Sequence, residues 1–264
     1  MATLFSAGLS CSAICSARSA LSGYIDIEDC ISFGQHELVK RFIKGVYELR
    51  PSFPKYSSTW DVDIVLSYLE NMMPLEKLTN KELTLKCAML IALLSGQRCQ
   101  TIHCLSIELM TLGDNKCVFK INTKIKQSKK GKHVKPIELV GFSENPSLCV
   151  IKTLMEYLKR TETMRDGAKQ LFISYQKPYK PISKDTMSRW IRDVLTKAGI
   201  DTDIYGAHST RAASTSAAVA RGTPIDQVLK AAGWASESTF TKFYKKVPTV
   251  NMGQVLLDSY MKKS

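Results

Sequence analysis

A mainly helical α+β chain with one small antiparallel sheet is what three observations predict. Most of the sequence carries apolar residues at helical spacing, as in HELVKRFIKGVYEL at 36–49. Gly96, Gly199, Gly222 and Gly233 stand just past the ends of such stretches, where a chain leaves a helix. Only between 105 and 140 does the apolar period change from helical to two.

Taken in order, SAICSARSALSGY at 12–24 reads as a short helix closed by Gly23. The second helix, 36–49, aligns Leu38, Val39, Phe42, Ile43, Val46 and Leu49. RPSFPKYSSTW, with two prolines among serines and a threonine, is a loop. Helical spacing resumes from Asp61 to Met73 through Val62, Ile64, Val65, Tyr68 and Leu69. NMMPLEKLTN, 71–80, breaks it at Pro74 and reads as a linker or hinge. Thr79 or Asn80 then caps KELTLKCAMLIALLSG, a helix apolar on most sides and so expected to be buried.

CVFKINTKI and HVKPIEL alternate as half-buried strands do, and KQSKKGK between them makes a hairpin turn. From Lys124 to Lys135 there are six lysines and no acid. Helices return at 146–163 and 183–199, and HSTRAASTSAAVARG at 208–222 forms a helix of small residues. Thr223-Pro224 opens another that runs to Gly233. A last helix is expected from Ser236 to about Lys246, followed by an amphipathic tail. The predicted organisation is a helical unit at 1–72, a linker at 73–80 and a larger unit at 81–264.

The length, 264 residues, suits one large domain or two smaller ones. Apolar residues make up 44% and charged residues 23%, which excludes a wholly disordered chain. Lysine and arginine number 37 against 24 acids, a net charge of +13. That excess points to a polyanionic partner, nucleic acid first; the alternative is charge that serves only solubility. None of the eight cysteines forms a CxxC pair, and no histidine stands at zinc-finger spacing, so no metal site is expected. The thiols read as reduced. The N-terminal MATLFSAGLSCSAICSARS lacks a basic start and a long apolar run, so no signal peptide is expected. CAMLIALL at 87–94 is too short to span a bilayer.

Several residues sit in company that packing alone does not explain. Arg98 follows the end of the buried helix in LLSGQRCQTI and must be paired or face a ligand; a structural salt bridge is the plain alternative. Lys126 stands where the first strand meets the basic turn, either as a solvated lysine or as a phosphate contact. His208 and Arg211 are three apart and so neighbours on one helix face, with alanines and serines behind them; an N-cap role for His208 would leave Arg211 unexplained. Trp234 follows Gly233, and Tyr244 is set among Lys242, Lys245 and Lys246. Core packing is the usual fate of such aromatics.

Arg98, a hairpin lysine, His-x-x-Arg at 208–211, the Gly233–Trp234 pair and Tyr244 occur in the order found in the tyrosine recombinases, and the sequence resembles that family. SGQRCQT, YSSTWDV and GWASESTFTKFY are most similar to recombinases of eukaryotic mobile elements of the DIRS and Crypton types. The likeness covers nearly the whole chain. It implies a catalytic domain with a three-stranded sheet at 81–264 and, at 1–72, part of the helical domain that clamps DNA. Two positions depart from the pattern. Thr101 stands where the family often has an acid, and Tyr244 lies ten positions after Trp234 where many bacterial members have nine. One extra residue turns a helical side chain by about 100°, which the loop after Trp234 has to absorb.

The resemblance implies DNA strand exchange without metal, cofactor or ATP. Tyr244 would attack a backbone phosphorus, giving a 3′-phosphotyrosyl link and a free 5′-hydroxyl, and a hydroxyl from a second strand would reverse the step. Arg98 and Arg211 would hold the non-bridging oxygens, with His208 and Trp234 bonding the same phosphate. Lys126 would protonate the leaving oxygen, with Lys124, Lys129 and Lys130 as competitors. Lys124, Lys129, Lys130, Lys132, Lys180 and Arg189 would grip double-stranded DNA. The tail, with Met252, Val255 and Leu256, resembles the segment by which family members dock onto a neighbour. That implies tetramers on DNA from free monomers. Nuclear residence follows from the eukaryotic likeness and the lysine clusters. Three other readings share parts of this pattern: a DNA binder derived from a recombinase that no longer cuts, a type IB topoisomerase-like enzyme, and a basic helical scaffold without a site.

Overall fold

The computed structural model describes residues 1–27, 31–51, 58–125, 128, 134–234 and 241. The chain divides into two compact units, Met1–Lys55 and Tyr56–Ser264. The stretch expected as a linker, 73–80, therefore lies inside the larger unit.

In the smaller unit, α1 (Ala2–Ser6), α2 (Cys11–Leu21) and α3 (Glu37–Leu49) gather around Cys11, Ile14 and Val46, with a ribbon of two-residue strands, β1 (Asp26–Ile27) and β2 (Ile31–Ser32). Ser10 caps α2 by accepting from the Ala13 amide. Arg50 closes the unit: its guanidinium lies 3.9 Å from the centre of the Phe5 ring and donates to the Leu9 carbonyl at 2.9 Å. The expected first helix ends earlier than Gly23, at Leu21, and the β1–β2 ribbon was not anticipated because two residues are too few to show a period.

The larger unit begins its helices with α4 (Val62–Glu70), capped by Asp61. Next comes α5 (Asn80–Ser95), buried along nearly its whole length as its composition requires. Thr79 is its cap. The Thr79 hydroxyl accepts from the Glu82 amide at 3.2 Å, and the Glu82 carboxylate accepts from the Thr79 amide at 2.8 Å. The Thr79 hydroxyl, donating to the Glu82 carboxylate at 2.7 Å, and the Thr79 amide together hold that carboxyl below the usual carboxylate range. Short α6 (Cys99–His103) leads to the sheet β3 (Met110–Leu112), β4 (Lys116–Phe119) and β5 (Ile137–Val140), antiparallel in the order β3-β4-β5. Cys117 and Phe119 face Leu139 and Ile137 across the ladder, all four buried on the core side. On the other face Lys116 meets Glu138 at 2.8 Å.

The strands are shorter than expected. Pairing stops at Phe119 opposite Ile137. Pro136, next along, has no amide to continue the ladder. Helices α7 (Val150–Thr161), α8 (Lys184–Lys197), α9 (Ser209–Ala220) and α10 (Ile225–Ala232) complete the unit. The mainly helical architecture with a three-stranded antiparallel sheet is the one the sequence predicts.

Two cations on core helices tie the 71–80 segment down. Arg160 of α7 donates to the Leu75 carbonyl at 2.6 Å and to the Leu78 carbonyl. Lys86, fully buried on α5, donates to the Met72 carbonyl at 2.7 Å. Burial pushes the Lys86 ammonium down to about 8. Between that value and the ordinary lysine range the unfolded chain binds more protons than the folded one, so stability rises with pH there. We expect a gain on the order of 1–2 kcal/mol between pH 7.5 and 9.5 by chemical denaturation. The gain should be missing in Lys86→Met; an equal rise in both proteins would place its source elsewhere.

The seven described cysteines, Cys11, Cys15, Cys87, Cys99, Cys104, Cys117 and Cys149, are free thiols. Among the described residues no cluster of histidine, cysteine or acid could hold a metal, and no helix is long and apolar enough to cross a membrane.

Candidate functional site

Helix α5 ends at Gly96 in the left-handed conformation, φ 58°. Glycine is needed there for space as well as for conformation. A methyl on Gly96 would lie 3.1 Å from Thr215 Cγ2 on α9 and 3.2 Å from the Ala232 methyl on α10. The small residues of α9 thus let it approach the end of α5 closely, with Ala212, Ala213, Thr215 and Ser216 buried.

Arg211 lies in that seam and is 1% exposed. One terminal nitrogen donates to both the Gly96 carbonyl and the Ala232 carbonyl, each at 2.9 Å. These carbonyls close the C-terminal ends of α5 and α10, where the helix dipoles favour a cation. The guanidinium stacks on Trp234, 4.0 Å from the ring centre. Arg98, half-buried at the start of α6, approaches the same indole at 5.7 Å. Three predicted residues, Arg98, Arg211 and Trp234, therefore meet, although they come from segments far apart in the chain.

His208 is placed differently from its partner at i+3. It occupies the residue before α9 with near-helical dihedrals (φ −69°, ψ −25°), is exposed, and does not cap the helix with its side chain. Its exposure contrasts with the burial of Arg211, so the two are not presented alike on one face. Thr101, where an acid would be usual, is buried on α6. A neutral residue suits that setting, since an acid there would need a partner.

Of the expected DNA contacts, Lys124, Lys180 and Arg189 are described and exposed. Lys180 belongs to a tight loop in which the Ser174 amide donates to the Lys180 carbonyl at 2.8 Å and Tyr179 takes φ 56°. Arg189 follows on α8, whose cap is Ser183, and donates to the Thr186 hydroxyl at 3.1 Å. Lys126, Lys129, Lys130, Lys132 and Tyr244 lie outside the described residues, as do the expected last helix (Thr241 apart) and the tail.

Sequence reasoning missed Gln97. Its buried amide donates to the Ala231 carbonyl at 2.9 Å and so ties the residue before Arg98 to the end of α10. Nothing in the local sequence marks it beyond its place beside Arg98. A groove of about 890 Å³ runs between the ends of α5 and α10, α9 and β5. Its described lining includes Gly96 and Ala232, whose carbonyls Arg211 bonds.

Two guanidiniums braced on one indole suit an anion with several oxygens. A guanidinium can donate two parallel bonds to such an anion, and the stacked ring and helix ends hold that of Arg211 in place.

The pattern of the phage integrase family matches residues 66–249. A structure of the XerH site-specific recombinase bound to palindromic difH substrate, a post-cleavage complex, aligns over 99% of this chain and 70% of its own. The identity is 15% and the TM-score 0.62. The Tn1549 transposon integrase in complex with transposon right-end DNA aligns over 98% and 82%, at 14% identity and a TM-score of 0.60. XerA recombinase aligns over 97% and 84%, at 19% identity and 0.54. At such identities the likeness is one of fold. No curated protein matches.

Proposed function

The chain belongs to the phage integrase family, and from that membership we propose that it breaks and rejoins DNA strands at specific sites through a phosphotyrosyl intermediate. The observation that carries the proposal is the meeting of Arg98 and Arg211 on the Trp234 ring, at 5.7 and 4.0 Å. A phosphodiester becoming a pentavalent phosphorane gains negative charge on its non-bridging oxygens. Donors already fixed in place stabilise that charge without reorganising.

In this reading the Tyr244 oxygen bonds to phosphorus and the bond to the 5′-oxygen breaks. Lys126 gives that oxygen its proton, and His208 takes the phenolic proton or bonds the phosphate. The 5′-hydroxyl of another strand then attacks the phosphotyrosine, Tyr244 leaves, and the number of phosphodiester bonds is unchanged. Lys124, Lys129, Lys130, Lys132, Lys180 and Arg189 hold the duplex backbone, in keeping with the net charge of +13. The XerH and Tn1549 structures are of complexes with DNA, which supports a double-stranded DNA partner. Assembly as a tetramer on paired sites, descent from a DIRS- or Crypton-type element and work in the nucleus belong to the same proposal. Topoisomerase-like relaxation uses the same residues.

The test is a short duplex from the DNA next to the gene, nicked near the presumed exchange point so that the cleaved strand escapes. A protein–DNA adduct that survives denaturation is expected. DNA binding without an adduct, repeated with an N-terminally extended chain, would replace the proposal with a recombinase-derived DNA binder that does not cut.

A further inference from the structure

Helix α9 carries Arg211, and a strap formed by residues 58–63 lies against it, tied by side chains at three places. Before the helix, the Ser58 hydroxyl and the Tyr205 hydroxyl share a hydrogen bond of 2.9 Å. Beyond its last residue, Arg221 meets Asp63 at 2.6 Å. Both are exposed contacts and contribute little by themselves. The middle tie is different. Trp60 is 6% exposed and Ser209, the first residue of α9, is 2% exposed. The Trp60 indole N–H donates to Ser209 Oγ at 2.9 Å, and Ser209 Oγ donates onward to the Gly206 carbonyl at 2.7 Å.

That relay uses Ser209 as acceptor and donor at once, which leaves its hydroxyl one orientation. The Ser209 amide also donates to the Gly206 carbonyl, at 2.8 Å. The turn so closed is Gly206–Ala207–His208–Ser209. It contains His208 and starts the helix that carries Arg211 two residues later. A buried indole N–H without its acceptor would be costly, so the tie is kept as long as the strap stays packed.

We infer that Trp60 is a positioning residue for the proposed phosphate site: through Ser209 it fixes the turn that presents His208 and the register of the helix that presents Arg211. The inference rests on the function proposed above, and its test separates the two. Trp60→Phe keeps a ring in the core and removes only the N–H; Ser209→Ala removes the other half of the tie. With the nicked duplex at saturation, the adduct rate of Trp60→Phe is expected to fall about 10- to 100-fold, the range that a misplaced catalytic group produces. The Kd for the duplex should stay within about twofold of wild type. The double variant should be no slower than Ser209→Ala alone, because the two changes break one tie.

A second measurement does not depend on cleavage. NMR of the histidine side chains should show the His208 ring resonances displaced in Trp60→Phe, with those of His36 and His103 unmoved. A wild-type adduct rate in Trp60→Phe would overturn the inference. So would a loss of rate that more DNA restores, or unmoved His208 resonances. No adduct from wild type, with His208 displaced in the variant, would sink the cleavage reading and leave the positioning role standing.

Discussion

Arg211→Lys should cut adduct formation by at least about 10²- to 10³-fold at saturating DNA, the cost of removing a fixed oxyanion donor. Lysine keeps the charge. It cannot bond the Gly96 and Ala232 carbonyls and stack on Trp234 as the guanidinium does, and in the proposed role it would lack the second edge for a phosphate. The same change should lower stability by on the order of 1–3 kcal/mol, because a buried carbonyl at the end of α5 or α10 loses its donor. Single-turnover adduct kinetics and chemical denaturation measure the two effects separately. An adduct rate within tenfold of wild type, in a variant that folds, would show that Arg211 is only a clip between helices. The Trp234 cluster would then lose its chemical meaning.

Tyr244→Phe is the other decisive change. It should remove the adduct altogether, a loss of at least about 10³-fold, since no remaining group supplies the attacking oxygen. Binding to the duplex should be unaffected, because one hydroxyl contributes little beside the counterion release of many basic side chains. Tyr260→Phe, in the tail, is the control and should form adduct as wild type does. An adduct that persists in Tyr244→Phe and vanishes in Tyr260→Phe would reassign the nucleophile. Tyr244 rests on the order of motifs in the sequence, ten positions after Trp234, so this experiment also shows whether the extra residue has been absorbed.

Much of the fold was legible because it is local. The periodicity at 36–49 and 183–199, the cap offered by Thr79 or Asn80, and the glycines after α5 and α10 act within a few residues, and the structure has helices at both stretches, the cap on Thr79 and helix ends at Gly96 and Gly233. The weaker readings were of elements set by partners. The strand expected at 117–125 ends at Phe119, since a strand is as long as its ladder and Pro136 interrupts this one. The segment at 71–80 reads as a hinge from Pro74 alone. Lys86 and Arg160, donating from two core helices, bind it into the larger unit.

For the site, the kinds of residue and their order are legible along the chain: two arginines, a histidine, a tryptophan and a tyrosine in a basic sequence. What holds them is visible only in the packed chain. It buries Arg211 against two helix ends and sets Arg98 beside the same indole. It leaves His208 exposed, and it brings Trp60 to Ser209. These contacts join residues 115 and 149 positions apart. Neither period nor propensity reaches that far along a chain. Such pairings arise when helices with small faces pack closely enough for buried donors to require acceptors.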